Sequence, residues 1–204
     1  MKLQTQNISK KFNGRSVLRD LSVSVEKGQS LAITGPNGSG KTTFMRILCG
    51  LMQADSGDVT YQINTSTLPL EKRNEHIGLV GPYIQLYQEL TAFENLEFVA
   101  RLKNITGYQE KVFSLMAMLG LKGREHDQAK TYSSGMKQRL KYAFALLAQP
   151  SFLFIDEPTS NLDKTGIETV YEIMHTQKQK GILVFATNDA VDLKLADEVY
   201  TINA

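Results

Sequence analysis

The stretch Gly35-Pro36-Asn37-Gly38-Ser39-Gly40-Lys41-Thr42-Thr43 is one of the two most informative motifs in this chain, and it directly follows the apolar run Leu31-Ala32-Ile33-Thr34. Its glycines lack a Cβ, which lets the backbone turn its N–H groups inward around an anion. Lys41 would place a positive charge at the β- and γ-phosphates of a nucleotide, and the Thr42 hydroxyl is the expected Mg²⁺ ligand. A G-x-x-x-x-G-K-T pattern between a strand and a helix therefore predicts a phosphate-binding loop, in preference to a chance glycine-rich turn.

The helix predicted to begin near Lys41 has a polarity that suits a bound anion. Its first two turns hold Lys41 and Arg46 and no acidic residue. Acidic side chains are the ones that stabilise a helix N-terminus in the absence of a ligand. A phosphate bound at this helix N-terminus would remove the conflict.

Two carboxylates close a second strand of the buried type, Phe152-Leu153-Phe154-Ile155. Acidic side chains are rarely buried unless a cation lies near them. We therefore expect Asp156 to hold Mg²⁺, mostly through water, and Glu157 to orient and polarise the water that attacks the γ-phosphorus. The alternative is that both acids only cap the turn Pro158-Thr159-Ser160, and the phosphate loop makes this the weaker interpretation.

A second Ser/Gly turn, Tyr132-Ser133-Ser134-Gly135-Met136, opens a strongly helical pattern. Lys137, Arg139 and Lys141 lie in the first turns of this helix, where each cation costs about 0.3–1 kcal/mol in an isolated helix. This helix end is therefore suited to receive an anion from outside. The simpler alternative is that one serine of the turn caps the helix.

The two motifs, in this order, resemble those of the ATP-binding subunits of ABC transporters, and the resemblance covers nearly all 204 residues. It implies an α/β fold of the P-loop NTPase type, with a mostly parallel core sheet, an N-terminal antiparallel β-subdomain and an inserted helical subdomain. It also implies one domain over residues 1–204. Residues 1–85 and 151–204 would form the core with the β-subdomain, and residues 86–150 the helical subdomain with the signature turn. The predicted elements include strands at 58–61 and Ile77–Val80, and helices at Ala92–Leu102 and 110–121.

The resemblance further implies that ATP and Mg²⁺ bind, and that two copies, or this chain and a second ATP-binding subunit, close head to tail around the nucleotide. Mg²⁺ would contact Thr42 and Asp156, and the segment Ser160-Asn161-Leu162-Asp163 would cross the dimer interface. Ser134 and Met136 stand where the family usually has glycine and glutamine. The predicted nucleotide contacts are Phe12, which would stack on adenine, the loop residues Gly35, Pro36, Asn37, Gly38, Ser39, Gly40, Lys41, Thr42 and Thr43, and, from the partner subunit, Ser133, Ser134, Gly135 and Met136.

Two positions depart from the family pattern. The family usually has a histidine after the last core strand, whereas this chain has Asn188 in the run Thr187-Asn188-Asp189. An asparagine can donate a hydrogen bond to phosphate but does not titrate near neutral pH, so we expect binding with slower hydrolysis. The usual glutamine after the strand Gly78-Leu79-Val80 lies three residues late, as Gln85. Gln85 would reach Mg²⁺ and the reacting water through its loop, or it is an ordinary solvated side chain.

Composition fits one globular domain and excludes some partners. The net charge of +2 argues against a dedicated nucleic-acid-binding protein, so no nucleic acid is expected as a partner. Cys49 is the one cysteine, which excludes an internal disulfide and suits a reducing compartment. No apolar run approaches the ~20 residues that cross a membrane. The resemblance therefore implies a separately encoded transmembrane permease and a cytoplasmic location on the inner face of the cell membrane through that partner.

The run Glu89-Leu90-Thr91-Ala92-Phe93-Glu94-Asn95-Leu96 resembles exporter-type subunits, including the haem-exporter ATPase of cytochrome c maturation. Tyr83, Leu86, Tyr87 and Leu90 are predicted either to form a docking groove for the permease or to pack inside the helical insert. Two other function classes stay open. One is a soluble ABC ATPase without a transport role, and the other is a nucleotide-gated switch that hydrolyses ATP slowly; a small-molecule kinase would leave the Ser/Gly turn without a role.

Overall fold

Two five-stranded sheets organise the chain in a computed structural model that describes residues 1–203. A short 3₁₀ turn at Ala129–Thr131 precedes the Ser/Gly turn. The strands described in this part of the chain are β1 (Lys2–Phe12), β2 (Arg15–Leu21), β3 (Ser24–Glu26), β4 (Ser30–Thr34), β5 (Ser56–Ile63), β6 (Ser66–Thr67), β7 (Ile77–Val80), β8 (Phe152–Asp156), β9 (Ile182–Ala186) and β10 (Glu198–Thr201). The α-helices are α1 (Lys41–Leu48), α2 (Leu70–His76), α3 (Ala92–Leu102), α4 (Tyr108–Met118), α5 (Ser134–Leu146), α6 (Lys164–Lys180) and α7 (Ala190–Leu193).

The first sheet is the predicted N-terminal antiparallel sheet. Its order is β2-β1-β5-β6. β2 pairs with the second half of β1, and β3 pairs with the first residues of β1, Lys2 to Gln4. Asn13 and Gly14 join β1 to β2 with φ angles of 50° and 79°, and two positive φ angles are what a two-residue hairpin turn requires. The strand predicted at 58–61 falls within β5, which also belongs to this sheet. β5 pairs with β1 from Lys2–Gln62 to Gln6–Asp58, and the paired residues Leu3 and Tyr61 are both buried in the same hydrophobic core.

The second sheet is fully parallel, in the order β10-β4-β9-β8-β7. All residues of β8 and β9 are buried, as expected for parallel strands that are covered on both faces. In β8, Phe152 and Phe154 pack into the core shared with the first sheet, whereas Leu153 and Ile155 face the core shared with the helices. This sheet confirms the predicted α/β class. It also brings the carboxyl ends of β4, β8 and β9 to one edge, where ligands bind in open parallel sheets.

The helical region lies between β7 and β8 in the chain. α3, α4 and α5 pack on one another and α5 packs on β7, and all three helices fall within the predicted 86–150 segment. α3 has the predicted bounds and begins with a capping box, in which Thr91 N donates to Glu94 Oε2 at 2.8 Å and Glu94 N donates to Thr91 Oγ1 at 3.1 Å. The second helix runs over Tyr108–Met118 rather than 110–121. It ends earlier because Gly120 has a φ of 68°, a left-handed conformation that terminates helices.

None of the helices described in residues 1–203 combines the length and the apolar character of a membrane-spanning helix.

Candidate nucleotide-binding site

The loop between β4 and α1 has a conformation that only glycine tolerates at two of its positions. Gly35 and Gly40 have φ angles of 144° and 102°. A Cβ on Gly35 would lie 2.4 Å from the Ile202 carbonyl oxygen, and a Cβ on Gly40 would lie 2.7 Å from Leu18 Cδ2. Backbone conformation and close packing therefore both require these glycines, as the motif predicted.

The residues of this loop and of the first turn of α1 fit a phosphate group. Gly40 is the N-cap of α1 and has no side chain that could accept from the first-turn N–H groups, which therefore stay available to a ligand. The Ser39 hydroxyl is buried and has no hydrogen-bond partner among residues 1–203. Lys41 is buried, and its Nζ donates to the carbonyl oxygens of Gly35 at 2.7 Å and Pro36 at 3.3 Å. An anion in this loop would satisfy the amides, the orphaned hydroxyl and the buried ammonium group together.

The loop and the acidic end of β8 are joined by one hydrogen bond. Thr42 Oγ1 donates to Asp156 Oδ2 at 2.8 Å. Asp156 is 2% exposed, and burial raises the pKa of its carboxyl, although the Thr42 hydroxyl and the Lys41 ammonium oppose the rise. Within residues 1–203, no group of three or more His, Cys, Asp or Glu side chains is arranged to hold a metal ion by itself. Thr42 and Asp156 therefore fit a hard cation that takes few protein ligands and completes its shell with water and phosphate oxygens, as Mg²⁺ does.

Glu157 follows Asp156 in an uncommon backbone conformation. Its φ is 58°, which costs a non-glycine residue about 1–3 kcal/mol and recurs at functional sites. The backbone is held there by a hydrogen bond from Glu157 N to the Ala186 carbonyl oxygen of the neighbouring strand, at 2.9 Å. The side chain is exposed, and partial burial followed by the Asp156 charge raises the pKa of the Glu157 carboxyl. The turn therefore directs this carboxylate away from the core at the end of β8.

Asn188 lies against the phosphate loop. Its Nδ2 donates to Asn37 Oδ1 at 3.0 Å, and Thr34 Oγ1 donates to Asn188 Oδ1 at 3.5 Å. The side chain is exposed, like that of Asn37. The structure therefore brings the loop after β9 together with the loop after β4, which the sequence alone predicts only through the family resemblance.

The Ser/Gly turn forms a separate surface. Ser133 Oγ accepts from Met136 N at 3.2 Å, so Ser133 caps α5, as the simpler interpretation expected. A Cβ on Gly135 would lie 2.9 Å from the Asn161 carbonyl oxygen, which places the turn directly against the 160–163 segment. Ser133 and Ser134 are exposed. No hydrogen bond within the described 203 residues joins residues 132–136 to residues 35–43, so this chain's turn does not bind its own phosphate loop.

An ion pair ties α5 to the 160–163 segment. Arg139 Nη2 donates to Asp163 Oδ1, and Asp163 Oδ1 also accepts from Gly166 N at 3.0 Å, which caps α6. The hydrogen bond from the Arg139 guanidinium lowers the pKa of the Asp163 carboxyl. The Ser/Gly turn and the 160–163 segment are thus parts of one surface.

Two predicted site residues, Phe12 and Gln85, have no side-chain hydrogen bond to the phosphate loop within residues 1–203. Phe12 ends β1 with 42% of its side chain exposed, and the Lys10 ammonium lies 5.6 Å from the ring centroid. Gln85 is exposed and lines a cleft with Ser134 and Lys137 of α5. Across the described part of the chain, Gln85 forms no side-chain hydrogen bond to Thr42 or Asp156. Its role toward Mg²⁺ stays a prediction, as does adenine stacking by Phe12.

Tyr83 lies near this site, whereas its sequence context predicts either a docking groove for the permease or packing inside the helical insert. Its ring lies under the Arg46 guanidinium at 4.9 Å, and its buried hydroxyl has no partner among residues 1–203. Burial raises the pKa of Tyr83, and the charge of Asp156 adds to the rise. Gly81 admits the ring, since a Cβ there would lie 2.9 Å from Tyr83 Cζ. This short contact depends on the folded loop, so the sequence pattern carried no signal for it.

The other residues of the predicted docking groove differ in burial. Leu86 is buried, whereas Tyr87 is 51% exposed and packs edge to face on Phe98 with ring centroids 5.1 Å apart. Leu90 is half-buried. The four residues therefore do not form one exposed groove, and Tyr87 is the member most available to a partner.

Comparison with known proteins identifies the family to which the chain belongs. Residues 18–160 match the protein family described as ABC transporter. The ABC transporter ATP-binding protein YhcH of Bacillus subtilis, whose function is uncharacterized, is 37% identical, over 91% of this chain and 61% of YhcH. The linearmycin resistance ATP-binding protein LnrL of the same organism is 34% identical, over 91% of this chain and 60% of LnrL. The lantibiotic transport ATP-binding protein SrtF of Streptococcus pyogenes is 33% identical, over 91% of this chain and 79% of SrtF.

The chain spans less than two thirds of the length of YhcH and LnrL. Among solved structures, one described as an ATP binding subunit of an ABC transporter superposes with a TM-score of 0.88 at 28% identity, over all of this chain and 86% of that chain. A dimeric post-hydrolysis state of the ATP-binding cassette MJ0796 bound to ADP and Pi has a TM-score of 0.87 at 23% identity, over 98% of this chain and 94% of that chain, and shows the shared fold. The family match along most of its length shows that this chain belongs to the ABC transporter family of ATP-binding proteins.

Proposed function

We propose that this chain binds and hydrolyses ATP and thereby powers a membrane transporter of the exporter type. The observation that carries the proposal is the 2.8 Å hydrogen bond from Thr42 to Asp156. It joins the phosphate loop to the acidic end of β8, and the next residue along the chain, Glu157, is exposed. A phosphate loop, a metal-binding carboxylate and a second carboxylate are the parts that phosphoryl transfer to water requires.

Each residue of the site has a separate role in this proposal. The first-turn amides of α1, Ser39 and Lys41 bind the β- and γ-phosphates, and Thr42 with Asp156 holds Mg²⁺. The metal ion, when bound, neutralises charge on the phosphate oxygens. Glu157 orients a water molecule and polarises it toward the γ-phosphorus. Asn188, which donates to Asn37 here, is near enough to the loop to donate to a γ-phosphate oxygen instead.

Closure with a second ATP-binding subunit completes the site in this proposal. The exposed Ser133 and the half-buried Gly135 would cap the γ-phosphate held by the partner, since residues 132–136 form no hydrogen bond to the phosphate loop of their own chain within residues 1–203. ATP would stabilise the closed pair because it binds that state better than the open one, and hydrolysis would release it. Homodimer and heterodimer are both compatible with this arrangement.

A membrane permease is the proposed partner, which would place the chain at the inner face of the membrane. The names of LnrL and SrtF refer to linearmycin resistance and lantibiotic transport. We propose export of an antimicrobial compound as the cargo class to test first. Haem stays a prediction from the sequence resemblance alone.

ATP turnover measured against protein concentration tests the proposed activity. We expect turnover to rise more steeply than linearly, because two chains assemble each site. The matched control is Glu157→Gln, which keeps the size of the side chain but removes its charge and replaces one acceptor oxygen with an NH₂ donor. We expect this variant to bind ATP and to lose turnover. A wild-type rate equal to that of the Glu157→Gln variant at every concentration would contradict the proposal of an autonomous ATPase.

A slowly hydrolysing switch is the second candidate, and the neutral Asn188 beside the phosphate loop is the observation that favours it. In this case ATP would close the pair, and turnover would stay near the Glu157→Gln level. ATP-dependent dimerisation without turnover, measured by size-exclusion chromatography with light scattering, would identify the switch.

A further inference from the structure

A buried carboxylate that the reaction above does not use lies behind the site. Asp192, on the short helix α7, is 1% exposed. Within residues 1–203 it forms no ion pair with lysine, arginine or histidine. A buried carboxylate is unfavourable unless several donors satisfy its oxygens. The identity of those donors therefore shows what the side chain holds together.

Three hydroxyl groups donate to Asp192, each from a different segment. Thr187 Oγ1 donates to Oδ2 at 2.9 Å, and Thr159 Oγ1 donates to the same oxygen at 3.3 Å. Tyr171 Oη donates to Oδ1 at 2.7 Å. The donors come from the loop after β9, the loop after β8 and helix α6, respectively.

Two of these donors lie next to residues of the candidate site. Thr187 is fully buried and directly precedes Asn188, and its N–H donates to the Ile33 carbonyl oxygen of β4 at 3.1 Å. Thr159 lies two residues after Glu157. Oδ2 of Asp192 thus accepts one hydrogen bond from the loop that contains Glu157 and one from the loop that contains Asn188.

We propose that Asp192 is a positioning residue that fixes the loop of Glu157 relative to the loop of Asn188. This inference rests on the proposed function, because it concerns the geometry of the same ATP site. The shared acceptor, Oδ2, couples the two loops. A γ-phosphate that contacts Asn188 therefore meets Glu157 at a defined distance. Tyr171 binds the other oxygen from a helix that carries neither site residue, so its loss leaves both loop bonds intact.

The test compares three single variants that each remove one hydroxyl from this cluster. Thr187→Val and Thr159→Val remove the loop donors with little change of shape, and Tyr171→Phe removes the donor on α6. We expect the two loop variants to lower kcat for ATP at least about tenfold, since small misplacements in an active site have effects of this size. We expect Tyr171→Phe to leave kcat within about twofold while lowering the melting temperature as much as the loop variants do.

Two further measurements separate positioning from general destabilisation. ATP affinity, measured by calorimetry in a Glu157→Gln background, should stay unchanged in Thr187→Val, so that the loss falls on kcat and not on KM. Thr187→Ser keeps the hydroxyl and should restore kcat to the wild-type value. Equal losses of kcat in all three variants, or wild-type kcat in Thr187→Val, would overturn the inference.

Failure of the proposed function is distinguishable from failure of this inference. A wild-type rate equal to that of Glu157→Gln would reject the ATPase function, and the positioning role with it. A wild-type rate well above that control, together with an unaffected Thr187→Val variant, would reject the positioning role alone.

Discussion

Asn188 donates from Nδ2 to Oδ1 of Asn37 at 3.0 Å, across a separation of 151 residues along the chain. The two side chains belong to the loops that follow β9 and β4, which are neighbouring parallel strands. Because the carboxyl ends of these strands share one edge, the hydrogen bond places a neutral amide at the phosphate loop. A titratable imidazole is the usual group there in the family that this chain resembles.

We predict that Asn188→His raises ATP turnover by about tenfold, because an imidazole can exchange a proton near neutral pH and an amide cannot. The measurement is kcat at saturating ATP. Asn188→Ala is the control, since it removes the amide without adding a titratable group, and it should fall below wild type. An unchanged rate in Asn188→His would show that the asparagine does not limit hydrolysis.

Thr42→Val should make nucleotide binding insensitive to Mg²⁺. The variant keeps the shape of the side chain but loses the hydroxyl that donates to Asp156. For the wild-type protein, removal of Mg²⁺ with a chelator should weaken ATP binding, because the phosphate charge is then uncompensated beside Asp156. Calorimetric titration with and without Mg²⁺ checks both expectations, and Thr42→Ser should behave like wild type. A Mg²⁺ dependence that survives in Thr42→Val would exclude Thr42 from the metal site.

Gly35→Ala should destabilise the fold more than Gly14→Ala does. Both residues have a positive φ, which strains alanine. At Gly14, whose φ of 79° is near the left-handed helical region, the cost is about 1–2 kcal/mol of unfolding free energy, and at Gly35, whose φ is 144°, it is no smaller. At Gly35 the new Cβ would also lie 2.4 Å from the Ile202 carbonyl oxygen, whereas Gly14 has open space around it. The clash should add about 1–3 kcal/mol. Urea unfolding of both variants measures the difference, and equal values would show that the loop relaxes to admit a side chain.

Ser133→Asp separates the two interpretations of the Ser/Gly turn. Aspartate is a good N-cap and its charge suits a helix N-terminus, so the melting temperature should match that of wild type. If Ser133 also caps a partner's γ-phosphate, the added negative charge should repel it and abolish the concentration-dependent turnover. Ser133→Ala should instead lower the unfolding free energy by about 1 kcal/mol through loss of the cap. Retained turnover in Ser133→Asp would leave capping as the role of Ser133.

The amino-acid sequence predicts those structural features that depend on residues close together in the chain. The glycine-rich loop, the start of α1 at Lys41, the carboxylates that end β8, and the bounds of α3 all follow from neighbouring residues, because backbone conformation, capping and strand burial act over a few positions. The structure contains each of these features where the sequence placed it.

Only the tertiary structure decides which distant segments meet. The pairing of β5 with β1 and the bond from Asn188 to Asn37 depend on strand order. The three donors to Asp192 depend on it as well, and so does the Tyr83 ring under Arg46. Most of these contacts join residues that are tens of positions apart or more, although Thr187 and Asp192 are only 5 positions apart. No local pattern distinguishes these residues from other polar or aromatic side chains. The chemistry of the site can therefore be read from the chain, but the coupling between its loops requires the folded sheet.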